Sequence, residues 1–113
     1  MVPLVMAQSS NIDIDIVERD DAVVVVVEGE VDLYGAAQFE QSLARAQDSR
    51  AQAIVLDLDR VSFMDSAGVY VLLRFSIGER SRGRLVLTPG SRQVQRLLEV
   101  TGVRRYLSFV PSA

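Results

Sequence analysis

The sequence predicts a single α/β domain built on a mostly parallel, open sheet (β-β-α-β-α-β-α-β) with helices mainly on one face. Three features point to it. Stretches of period-2 alternation, such as IDIDI at 12–16 and IVLDLD at 54–59, are interspersed with longer stretches whose apolar residues recur at helical spacing. Those strands carry an acid at every second position over part of their length, whereas strands buried on both faces are continuously apolar. Right-handed crossovers between parallel strands lying side by side in chain order place all the helices on one side. The length of 113 residues suits one domain with one core.

Taken in order, residues 1–10 are expected to form a loose arm, and 11–113 the domain. Ile12, Ile14 and Ile16 alternate with Asp13 and Asp15 in a first strand. Arg19-Asp20-Asp21 turns the chain into the valine run Val23–Val27, a second and more buried strand, and so short a link suggests an antiparallel hairpin. Gly29–Asp32 leads into a helix from about Tyr34 to Asp48, with Phe39, Leu43 and Ala46 on its inner side. A third strand starts near Ala53, and its alternation stops after Arg60. A short loop then reaches Asp65 and Ser66, where a small oxygen-bearing side chain caps a second helix expected to end near Arg82-Gly83. Arg84–Thr88 is a fourth strand, broken by Pro89-Gly90. Ser91 caps a third helix carrying Val94, Leu97 and Leu98, Gly102 stops it, and Arg105–Val110 supplies a last strand.

Composition excludes much. There is no histidine and no cysteine, and all 12 basic residues are arginine. Ser-His-Asp triads, histidine or thiolate metal sites, the Walker lysine and Schiff-base lysines are therefore closed to this chain. A net charge of −3 argues against nucleic acid as a direct partner. The apolar start MVPLVMA lacks a basic region and makes a poor signal peptide, and no apolar run approaches the roughly 20 residues that span a bilayer. The expectation is a cytoplasmic protein without membrane contact, cofactor or metal.

The place for chemistry is the strand-to-helix corner at Asp65-Ser66. For Ser66 the plain role is a helix cap. Gly68 adds to it, because glycine in a first helical turn costs about 1 kcal/mol relative to alanine and implies a close approach, by a ligand or a neighbouring loop. Two roles are open for Asp32: capping the first helix, or approaching Asp65 and Ser66 from the end of the adjacent strand. Asp13, Asp15, Asp57 and Asp59 read as solvated, and Arg80, Arg82 and Arg84 as a solvated helix end.

The run VSFMDSAGVYVLL after AIVLDLD resembles the signature of STAS domains, in particular bacterial anti-sigma factor antagonists. GEVD at 29–32, followed by Ala36-Ala37, resembles their second motif, and RLLEVTGVRRYL at 96–107 their C-terminal helix and strand. The likeness spans about residues 11–110. It implies the one-sided fold derived above and a regulatory protein that is no enzyme. In such proteins the serine after the aspartate is phosphorylated by a partner that is both anti-sigma factor and serine kinase. The unphosphorylated form binds that partner and frees the sigma factor, and a phosphoserine phosphatase resets the switch. On this resemblance Ser66 is the phosphoacceptor, and Asp32, Met64, Asp65, Ala67, Gly68, Val69 and Tyr70 form the switch and partner surface. Ala67 stands where many relatives carry a second serine, and Tyr70 where they carry a small residue. The rivals are a STAS module of another signalling assembly that takes no phosphate, and an enzyme using Ser66 or carboxylate-bound Mg²⁺.

Overall fold

A computed structural model describes residues 11–110; the arm expected over 1–10 lies outside the described residues. β1 (Ile12–Arg19) and β2 (Ala22–Val31) form the expected antiparallel hairpin, turning through Asp20 at φ 51°. α1 (Ala36–Gln47), β3 (Ala53–Met64), α2 (Ser66–Ile77), β4 (Leu85–Leu87) and α3 (Arg92–Val100) follow. The sheet order is β1-β2-β3-β4, with β2, β3 and β4 parallel.

The helices share one face because the buried residues do. Val23 and Val25 pair with Ile54 and Leu56, which pair with Leu85 and Leu87, and all six point into the core. There they meet Phe39, Leu43 and Ala46 of α1, Val71, Leu72 and Phe75 of α2, and Val94 and Leu98 of α3. The open face carries exposed Asp13 and Asp15, and beside them a strip of half-buried valines, Val24, Val26, Val55 and Val86. It is less polar than the alternation of IDIDI implies.

Four expectations need correction. β3 does not stop near Arg60 but runs to Met64, because it carries two extra residues against β2. Val26 pairs with Asp57 but Glu28 with Arg60, and Gly29 pairs with Val61 but Glu30 with Phe63. Each bulge shifts the inward position by one, so Leu58, Val61 and Met64 face the core at a spacing of three. α2 ends at Ile77, not near Arg82, because Gly78 turns extended and residues 79–84 form successive turns. Arg84 is no solvated helix end: its guanidinium donates to the carbonyls of Gln47, Ser49, Ala51 and Arg80 at 2.8–3.2 Å, pinning the α1–β3 loop. Finally, 105–110 is not a strand. Arg104–Tyr106 form a 3₁₀ turn, which takes up the residues that would run along β4, and among the described residues only Phe109 bridges it, at its last residue Leu87.

Gly102 does stop α3. It sits at φ +77°, its N–H reaches the Glu99 carbonyl (3.1 Å) and that of Val103 the Leu98 carbonyl (3.1 Å), the paired bonds of a Schellman end.

Candidate functional site

Because β2 and β3 are parallel, α1 and α2 both start at the C-terminal edge of the sheet. There the Asp65 N–H donates to the Val31 carbonyl at 3.2 Å, tying the two strand ends together. Asp65 is extended, and its carboxylate accepts the Ala67 N–H at 2.9 Å. Asp65 is therefore the cap. Ser66 is the first helical residue, exposed, and its hydroxyl has no hydrogen-bond partner among the described residues. The capping role offered to serine is thus filled by its neighbour. A free hydroxyl remains at a positive helix end, where added negative charge is favoured.

Two contacts hold this corner. A Cβ on Gly68 would lie 2.7 Å from Val31 Cγ1, 2.9 Å from Met64 Cγ and 3.0 Å from the Val31 carbonyl oxygen. The close approach implied by this glycine is made by the end of β2, so the first turn of α2 rests directly on it. From α3, the Gln93 side chain accepts the Met64 N–H at 3.0 Å and donates to the Met64 carbonyl at 2.8 Å. The amide pairs with Met64 as a further strand would. Sequence reasoning missed Gln93, since one polar residue on a helix carries no periodic or motif signal.

Asp32 is half-buried, and its Oδ1 accepts the N–H groups of Tyr34 (3.0 Å) and Gly35 (3.1 Å). Of its two open roles it takes the local one, forming the turn into α1, whose own N-cap Gly35 has no side chain to offer. Its neighbour Val31 touches the corner; among the described residues no bond joins Asp32 to Asp65 or Ser66.

Tyr70 lies one turn beyond Ser66 and is 62% exposed, with the Arg74 guanidinium 5.6 Å from its ring centroid. Arg74 also bonds Glu40 of α1 at 2.7 Å, and that bond raises the guanidinium pKa above its ordinary value. Ala67 is half-buried. Met64, Gly68 and Val69 are buried, which corrects their assignment to a contact surface: they support the corner from below. Asp32, Asp65, Ser66, Ala67 and Tyr70 remain accessible.

Among the described residues no helix is long and apolar enough to cross a membrane. The family model of the STAS domain matches residues 13–112. The chain belongs to the STAS domain family. It is 37% identical over 95 residues to the anti-sigma-B factor antagonist of Listeria monocytogenes, covering 82% of this chain and 83% of that one. A putative anti-sigma factor antagonist of Bordetella bronchiseptica is 33% identical over 95 residues, covering 83% and 79%. Among solved structures, an anti-sigma factor antagonist from Mycobacterium paratuberculosis superposes with a TM-score of 0.75 at 25% identity, over 92% of this chain and 91% of the other. The anti-sigma factor antagonist SpoIIAA in its unphosphorylated form has the same fold, with a TM-score of 0.69 at 24% identity over 88% and 90%.

Proposed function

We propose that this STAS domain is an anti-sigma factor antagonist switched by phosphorylation of Ser66. The unmodified form binds an anti-sigma factor that is also a serine kinase and so releases a sigma factor; the phosphorylated form does not bind, and a phosphatase restores it. It acts in the cytoplasm as a binding module rather than an enzyme, without direct contact with nucleic acid. The observation that carries this reading is the exposed Ser66 hydroxyl, free of the capping duty that Asp65 performs. A phosphate there adds about −1.5 to −2 charges at pH 7. The helix N-terminus accommodates it without unfolding, while a partner docked on Asp65 and Ser66 meets a changed charge.

The test is titration of the cognate anti-sigma kinase with Ser66→Ala and Ser66→Asp, with mass spectrometry after incubation with ATP and circular dichroism to confirm folding. Ser66→Ala binds but gains no phosphate. Ser66→Asp stays folded and loses about 30-fold or more in affinity, because a charge buried unpaired at an interface costs on the order of 2–5 kcal/mol. A folded Ser66→Asp domain that binds like wild type defeats the switch and favours a STAS module that takes no phosphate.

A further inference from the structure

The turn between β2 and α1 holds two adjacent exposed large apolar side chains at this edge of the sheet. Leu33 is 70% and Tyr34 57% exposed, and neither belongs to the core. Single exposed apolar residues need no explanation, but these two are adjacent and stand on a built turn. The Asp32 carboxylate accepts the N–H groups of Tyr34 and Gly35 at 3.0 and 3.1 Å, and the Asp32 carbonyl accepts that of Gly35 at 3.1 Å. Gly35 is buried, and a Cβ there would come within 3.2 Å of both the Glu30 carbonyl oxygen and Ile12 Cγ2, so the base of the turn is packed on the sheet. The backbone under Leu33 and Tyr34 is fixed before any partner arrives, which removes the ordering cost of a loose loop. Two residues before Leu33, Val31 accepts the Asp65 N–H and packs beneath Gly68. The turn and the Ser66 corner are one continuous edge.

We infer that Leu33 and Tyr34 are the apolar anchor by which the anti-sigma partner grips this domain, and that Asp32 is a positioning residue holding them through its hydrogen bonds rather than through its charge. This rests on the proposed function and adds to it. At the cap itself the Ser66 corner offers a partner small or polar groups, Asp65, Ser66 and Ala67, and the nearest exposed ring on α2, Tyr70, stands one turn further on beneath the Arg74 guanidinium. The partner that fits has an apolar cleft for the leucine and the tyrosine ring, with a polar group at its rim for the phenol hydroxyl. The anchor supplies affinity, and the charge on Ser66 beside it decides whether the contact closes.

The experiment is calorimetric titration of the purified anti-sigma kinases of the source organism, one at a time, with circular dichroism on every variant. Leu33→Ser and Tyr34→Ser each weaken binding by about 10- to 100-fold, the range of a buried anchor. Val100→Ser, at a residue 75% exposed on the C-terminal end of α3, changes it by less than about threefold. Asp32→Asn keeps an oxygen for both N–H groups and stays within about threefold of wild type, whereas Asp32→Ala loses about tenfold. If Leu33→Ser and Tyr34→Ser bind like wild type while Ser66→Asp does not, the anchor is overturned and the switch stands. Equal losses in Asp32→Asn and Asp32→Ala overturn the positioning role. If no anti-sigma factor binds the wild-type chain, both the anchor and the proposed function fall.

Discussion

At the start of α3 the Ser91 hydroxyl accepts the N–H of Val94 at 3.2 Å, whereas at the start of α2 that duty falls to Asp65 and the Ser66 hydroxyl is left exposed. Both serines open a helix, and either is a sound N-cap by type. One residue of phase separates them. Ser91 occupies the non-helical cap position, and its hydroxyl is consumed. Ser66 lies inside the helix, one residue past the cap, and its hydroxyl is available. The approach differs too: α3 follows a Pro89-Gly90 loop with Gly90 at φ +72°, while a single residue, Asp65, separates the end of β3 from the start of α2. The α2 corner is therefore placed by the sheet itself and is braced by Val31 on one side and Gln93 on the other. A serine at a helix start becomes a candidate modification site only when another residue does the capping.

Substitutions at the two helix starts can break or sharpen this contrast. The largest effect belongs to Gly68→Ala, whose Cβ would press on Val31 and Met64 at 2.7 and 2.9 Å. Overpacking of this kind costs about 1–3 kcal/mol in urea unfolding, and a neutral result would mean that α2 does not rest on β2 as described. Next comes Gln93→Ala, which removes both bonds to Met64; water replaces part of them, leaving a loss of about 1 kcal/mol. Amide exchange at Met64 should speed up in this variant, and unchanged exchange would show that α3 does not hold the corner.

The caps should give losses close to that of Gln93→Ala and matched to each other. Asp65→Ala and Ser91→Ala are each expected to cost about 0.5–2 kcal/mol, typically near 1. Ser66→Ala is the smallest, within about 0.5 kcal/mol, because its hydroxyl caps nothing and alanine is a good helix former. Thermal or urea unfolding of the three side by side decides the point. A Ser66→Ala loss equal to that of Ser91→Ala would place Ser66 in the cap position and withdraw its hydroxyl from the switch.

Much of the fold was legible wherever a local pattern repeats. Phe39, Leu43 and Ala46 marked the inner side of α1, Ile54, Leu56 and Leu58 that of β3, and Ser91 and Gly102 the two ends of α3. The corner at Asp65-Ser66 was legible for the same reason, since the change from period 2 to helical spacing brackets it. The far part of β3 was not, because Leu58, Val61 and Met64 face inward at a spacing that belongs to neither template. Nor was the end of α2: arginines at 80, 82 and 84 suit a helix terminus, yet Gly78 turns out of the helix first and Arg84 reaches four backbone carbonyls that its neighbours in sequence do not reveal.

The sequence by itself determined the one-sided α/β architecture, the β1–β2 hairpin and the presence of a hydroxyl at a strand-to-helix corner. These depend on periodicity, turn length and capping chemistry, all of which act over a few residues, whereas the side-by-side order of the strands was a condition that only the sheet itself met. Tertiary structure alone decided which oxygen caps α2, what Gly68 meets, what holds Met64 and which members of the motif stay accessible. Each of those depends on a partner roughly 30 or more residues away in the chain, Val31 for Gly68 and Gln93 for Met64, or on a one-residue phase that packing at the sheet edge sets.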